Sequence, residues 1–298
     1  MNAFSGGSGL RQEDRDVALS HATWRLLETG WSDGATNMAV DEAIMLAVAA
    51  GKVPPTLRFY GWSPPCVSIG YAQDLRSEVD LDACRRSGYT WVRRPTGGRA
   101  VLHIDELTYS VIAPLGEPRV AGDILTSYRR LSRGLVAGLN RLGCQAIQAE
   151  PESRRGGSES AACFEVPSPY EILVSGAKLV GSAQARRRRV VLQHGALPLK
   201  GDVGRICDVL RLPKPDRETL RAELRQKAVS LEMALGRMVS FAECVAALRI
   251  GFAQALNLTL APGELIADER VAMELLKNKH VRREWLFDKA ARAGQPGE

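Results

Sequence analysis

Apolar positions along the chain change repeatedly between a period of two and a period near 3.6, so strands and helices are interleaved without a repeating strand-helix unit. Residues 36–50, TNMAVDEAIMLAVAA, read as a helix entered through Asp33 or Thr36 and ended by Gly51. TLRFY (56–60) and CVSIGYA (66–72) follow as short β-rich runs. Gly61, Pro64 and Pro65 between them predict a hairpin or adjacent strands, and YTWVRR (89–94) and ELTYSVIAPL (106–115) continue the sheet. From 123 to 142, Ile124, Tyr128, Leu131, Leu135, Leu139 and Leu142 recur every three or four positions, which predicts one long amphipathic helix covering a sheet face.

The segment 150–162, EPESRRGGSESAA, is polar and aperiodic and reads as an exposed loop. YEILV (170–174), KLVGSAQ (178–184) and VVLQHGALPL (190–199) predict a second, antiparallel group of strands. Beyond about 203 the pattern is mostly helical, notably at 240–256 and 269–279. The fold class expected is therefore α+β: a mixed, largely antiparallel sheet packed with helices. Residues 1–21 read as a flexible tail unlike a secretory signal, 22–260 as the main domain and 261–298 as a helical C-terminal extension.

Composition narrows the class. With 298 residues, 45% hydrophobic and 25% charged, the chain has the balance of a globular protein, and no apolar run is long enough to span a bilayer. The six cysteines, at 66, 84, 144, 163, 207 and 244, form neither CxxC pairs nor His-rich spacings, which argues against a zinc site or a disulfide framework and for a reduced, cytoplasmic protein. The net charge of +6 favours an acidic partner, either nucleic acid or an acidic carrier protein.

Three stretches carry candidate chemistry. Cys163 precedes a strand-like run leading, fifteen residues later, to Lys178 between Ala177 and Leu179 in the Gly-flanked GAKLVG. A thiol attacks as its thiolate and an ammonium stabilises that anion, so the pair suits nucleophilic acyl transfer. Most cysteines are small buried hydrophobes, as Cys244 in its apolar helix should be, but the polar flank before Cys163 sets it apart. An outward-facing Lys178 would be ordinary, and an inward one costly unless functional. In RRPTGGRAVLHIDELTYS (93–110), Gly97 and Gly98 let backbone N–H groups approach a ligand while Arg93, Arg94 and Arg99 add charge. A tight turn on a basic surface explains the same residues equally well, and the spacing matches neither GxGxxG nor GxxxxGK[ST]. His103 could polarise a carbonyl, although a lone strand histidine is more often structural. Arg186 to Arg189 read as a solvated hairpin tip to which an acidic acyl carrier would be drawn.

NMAVDEA (37–43), RRPTGGRAVLHIDELTYS (93–110), CFEVPSPYEILVSGAKLVGSAQ (163–184) and QHGALPL (193–199), in this order, resemble the lipoate and biotin protein ligase superfamily, specifically octanoyltransferases of the LipM type. The resemblance runs from about Trp24 to Leu260 and implies the biotin/lipoate ligase catalytic fold. It implies transfer of octanoate from octanoyl acyl carrier protein to a lysine of a lipoyl-accepting protein, typically the glycine cleavage H protein, without ATP, cofactor, metal, nucleic acid or membrane. Cys163 matches the acyl-thioester nucleophile and Lys178 the lysine that lowers its pKa. Substrate contacts are expected from Arg94, Gly97, Gly98, Arg99, Val101, His103, Val180, Gly181 and His194, with Leu102 a further candidate for an apolar acyl tunnel. Departures are modest: Pro95 after the arginines, Ile104 where an acid is common, and Ala177 in place of a lysine. Rival readings are an octanoyl amidotransferase between lipoyl domains, an ATP-dependent lipoate ligase and a non-catalytic carrier-binding protein.

Overall fold

The computed structural model describes residues 19–149 and 171–288. Cys163, the loop expected at 150–162 and most of the expected tail lie outside the described residues.

Eight strands form one sheet: β1 (Ala22–Ser32), β2 (Thr56–Trp62), β6 (Glu106–Pro114), β7 (Ala146–Gln148), β8 (Ile172–Val174), β9 (Ala177–Arg187), β10 (Val190–Pro198) and β11 (Leu258–Pro262), in the order β11-β1-β2-β6-β10-β9-β8-β7. The β1 pairings with β11 and β2 are parallel, and the pairings from β2 through β7 are antiparallel. A second sheet, in the order β4-β3-β5, holds β3 (Cys66–Ile69), β4 (Thr90–Arg93) and β5 (Val101–His103). The two runs at 56–60 and 66–72 are therefore no hairpin: they belong to different sheets, and the second strand ends at Ile69.

α1 (Gly34–Ala49) starts where the Asp33 side chain accepts from Thr36 N, so Asp33 is the cap and Thr36 lies inside the helix. α2 (Leu75–Glu78) and α3 (Leu81–Arg86) join the small sheet, and α4 (Ile124–Arg141) is the long amphipathic helix, capped by Asp123. After a 3-10 segment at 203–209 come α5 (Lys214–Lys227), α6 (Leu231–Leu235), α7 (Phe241–Ala255), α8 (Ala267–Val281) and α9 (Arg283–Phe287).

Period-two alternation explains how the large sheet is buried on both faces. Leu107, Tyr109, Val111 and Ala113 of β6 join Leu135, Leu248 and Phe252 of α4 and α7 in the main core. Ile112 and Leu192, on the other face, pack with Val40, Ile44 and Val48 of α1. α4 and α7 cross through glycine: a Cβ on Gly251 would lie 2.2 Å from Gly138 N, so a side chain there would push the helices apart.

Candidate functional site

The face of the sheet beneath α1 changes character along its strands. On β10 the residues of one face run Val190, Leu192, His194, Ala196, and on β6 they run Ile112, Ser110, Thr108. The apolar end packs under α1, and the polar end meets the small sheet. Between them opens a cavity lined by Met38, Tyr60, Trp62, Ser68, Arg94, Val101, His103, Thr108, Gly181 to Ala183 and His194 to Ala196. Its atom-free space, open mouth included, is about 460 Å³. Apolar walls and a few convergent polar groups suit an aliphatic chain carrying a polar head.

Two histidine–carboxylate pairs flank this cavity. His194 Nδ1 lies 3.4 Å from Asp41 Oδ2, and its Nε2 lies 2.7 Å from Thr96 Oγ1 in the RRPTGG turn. Burial pushes the His194 pKa down more than Asp41 raises it, so the ring is neutral at pH 7, with Nδ1–H donating to the carboxylate and Nε2 accepting from Thr96. Burial alone would raise the Asp41 carboxyl, but Arg58 at 2.7 Å and His194 outweigh it and hold it below the ordinary value. Tyr60 and Ser110 also donate to Asp41. Across the cavity, His103 Nδ1 meets Glu106 Oε1 at 2.7 Å and Nε2 meets Ser68 Oγ at 2.7 Å, with the ring stacked on Trp62 at 3.9 Å.

The paired arginines build this site from behind. Arg93, fully buried, donates to the carbonyls of Gly70, Tyr71, Gln73, Trp285 and Leu286. Arg94 donates to Ser68 Oγ and to the carbonyls of Ser68, Gly97 and Arg99, which fixes the turn. Gly97 and Gly98 are exposed on that turn, and a Cβ on Gly70 would sit 2.0 Å from Gly98 O. Thus Arg94, Val101, His103, Gly181 and His194 come together around the cavity, while Gly97, Gly98 and Arg99 form the turn beside it. Leu102 packs against the small sheet's core, and Val180 lies in the main core.

Lys178 faces inward, 2% exposed, and its ammonium donates to Glu171 Oε1 at 2.5 Å. Glu171 thus gives the inward-facing lysine a counter-charge. Gly181 lies three steps further along β9, about 10 Å at strand rise. The cysteines separate cleanly. Cys66, Cys84, Cys144, Cys207 and Cys244 are all buried, as expected of small hydrophobes. Burial raises all five thiols, Cys66 and Cys244 to about 12 and Cys84 and Cys207 to about 11, so none supplies thiolate at neutral pH.

The model of the lipoyl protein ligase A/B catalytic domain matches residues 33–253, the span that builds this cavity. The chain belongs to that family. It is 50% identical to the octanoyltransferase LipM of Kyrpidia tusciae over 90% of this chain and 99% of that protein. It is 48% identical to the octanoyltransferase LipM of Symbiobacterium thermophilum over 88% and 97%. Within the family it is one of the LipM-type octanoyltransferases, hence an acyltransferase. The bipartite lipoate protein ligase of Thermoplasma acidophilum superposes with a TM-score of 0.76 at 26% identity, covering 90% of this chain and 97% of that one. A lipoate-protein ligase A bound with ATP gives 0.71 at 27%, covering 90% and 99%. No described helix is long and apolar enough to cross a membrane.

Several residues of this lipoyl ligase-type site escape local reading of the sequence. Asp41 interrupts an apolar helix and is buried. Arg58 stands mid-strand in TLRFY, fully buried. A charged residue inside an otherwise apolar run is the signal that could have found them. Glu171 offered a similar sign in YEILV, whereas Ser68, Thr108 and Ser182 look like ordinary strand residues until the sheets bring them together.

Proposed function

We propose that the chain moves an octanoyl group from octanoyl acyl carrier protein to the lysine of a lipoyl-domain acceptor such as the glycine cleavage H protein, in the cytoplasm and without ATP. Cys163 gives up its proton and attacks the carrier's thioester as the thiolate; a new carbon–sulfur bond forms as the carrier's carbon–sulfur bond breaks, the proton ends on the departing carrier thiol, and the acyl group rests on Cys163. The ammonium of Lys178, paired with Glu171, favours the cysteine thiolate. A neutral acceptor amine then attacks; the carbon–nitrogen bond forms, the carbon–sulfur bond to Cys163 breaks, and the proton lost by the amine passes to the departing sulfur, so the Cys163 thiol returns. Exchange between thioesters changes bond type little, and the amide formed last is the more stable product. The octanoyl chain occupies the cavity between Met38, Trp62 and Val101, with Arg94, His103, Gly181 and His194 around its polar end.

The observation that carries this reading is the elimination among the cysteines: all five described ones are buried with raised pKa, leaving Cys163 as the candidate nucleophile. The test mixes wild type or Cys163→Ala with octanoyl acyl carrier protein and apo H protein, without ATP, and weighs the acceptor by mass spectrometry. Octanoylated acceptor with wild type and none with the variant is the expected result. Product that appears only with free octanoate and ATP would replace the reading with a ligase.

A further inference from the structure

The four-arginine run divides in the fold. Arg186 donates to Gly122 O and Asp123 O, and Arg187 stacks over Tyr71 at 4.5 Å and donates to Pro95 O. Arg188 and Arg189 form the two-residue turn between β9 and β10, both exposed, with φ of 51° and 59°. Such a turn favours Asn-Gly, because a side chain with positive φ is strained. Two arginines kept there against that preference point to a use for their side chains. Beside them runs a shallow groove lined by Val48, Ala49, Pro114 and Leu115.

We infer that Arg188 and Arg189, with this groove, are the docking surface for the acidic acyl carrier that delivers the octanoyl thioester. The inference rests on the transfer reading above. The cavity wall at Gly181 to Ala183 and the tip lie on the same strand, five residues and roughly 17 Å apart. That separation discriminates between the two macromolecular substrates. An acceptor lysine on its four-carbon stem must bring its own domain to the cavity mouth, whereas a carrier reaches in through a long prosthetic arm and docks at a distance. Charge complementarity chooses the same partner: two cations with no ion pair among the described residues, beside an apolar strip, match an acidic helix with an apolar edge.

The test compares octanoyl acyl carrier protein with the uncharged small donor octanoyl-pantetheine, in wild type, Arg188→Glu/Arg189→Glu and Arg188→Asn/Arg189→Gly. The charge-reversed variant should raise KM for the carrier about tenfold, with kcat nearly unchanged, and leave octanoyl-pantetheine kinetics unaltered. The Asn-Gly variant has the preferred turn chemistry, so a KM increase there cannot come from a damaged hairpin. Unchanged carrier KM in both variants, equal losses with both donors, or a rise confined to the acceptor's KM would overturn the docking surface. A wild type acylated by neither thioester would instead sink the transfer reading, and the docking inference with it.

Discussion

Two pairs of consecutive arginines, Arg93-Arg94 and Arg188-Arg189, do opposite work. The first pair is buried and donates to backbone carbonyls from three separate stretches of chain. The second is exposed at a hairpin tip whose backbone disfavours it. A positive count alone therefore says little about partners: part of the net +6 is internal scaffolding, and only the charge left facing solvent can steer a macromolecule.

The largest expected effect is at Arg93. Arg93→Ala would take the guanidinium donor from five carbonyls, among them Trp285 O and Leu286 O, which tie α9 to the small sheet. A loss of about 3–5 kcal/mol in urea unfolding is expected. Glu42 holds the same C-terminal segment by a different charge, pairing with Lys279 at 2.7 Å and His280 at 3.3 Å. Burial alone would raise its carboxyl, but His280 and Lys279 bring it from 4.5 down to about 2. Because the folded pKa lies below the unfolded one, Glu42's contribution is complete above pH 4.5 and is lost as pH falls through about 2. It corresponds to about 3 kcal/mol, so Glu42→Gln should lose about that much at pH 7 and flatten the acid limb of a stability–pH curve. An unchanged acid limb would contradict the pairing.

Arg94→Lys replaces a planar fork by a point charge and cannot hold Ser68 O, Gly97 O and Arg99 O together. About 2 kcal/mol of stability and a weakened hold on the acyl chain are expected, read as KM for octanoyl-pantetheine. The smallest effect belongs to the exposed pair: Arg188→Asn/Arg189→Gly should match wild type or gain up to about 1 kcal/mol in thermal unfolding, since it relieves positive φ. A large loss there would erase the contrast between the two pairs.

Much of the frame was legible because it depends on short-range periodicity. The alternation of β6 and β10 and the 3.6 period of α4 appear almost as expected from the sequence, and all five described cysteines proved to be buried. Strand β1 escaped because Arg25 and Glu28 break its alternation; Arg25 is nonetheless buried on Glu269 at 2.6 Å. Assignment of β3 and β4 to a separate sheet depends on long-range pairing that no local pattern encodes. The same holds within the site. Arg94, His103 and His194, proposed from their motifs, do line the cavity, but their partners Ser68, Asp41 and Glu106 come from elements distant in sequence or from polar positions that look solvent-facing.

One cysteine among the six, Cys163, is proposed to carry the acyl group. Wild-type protein incubated with octanoyl acyl carrier protein, without ATP, and mapped by peptide mass spectrometry should carry a single hydroxylamine-labile octanoyl group on Cys163, with Cys66, Cys84, Cys144, Cys207 and Cys244 unmodified. An acyl group on any of those five, or an unmodified Cys163 in protein that still octanoylates its acceptor, would contradict the account.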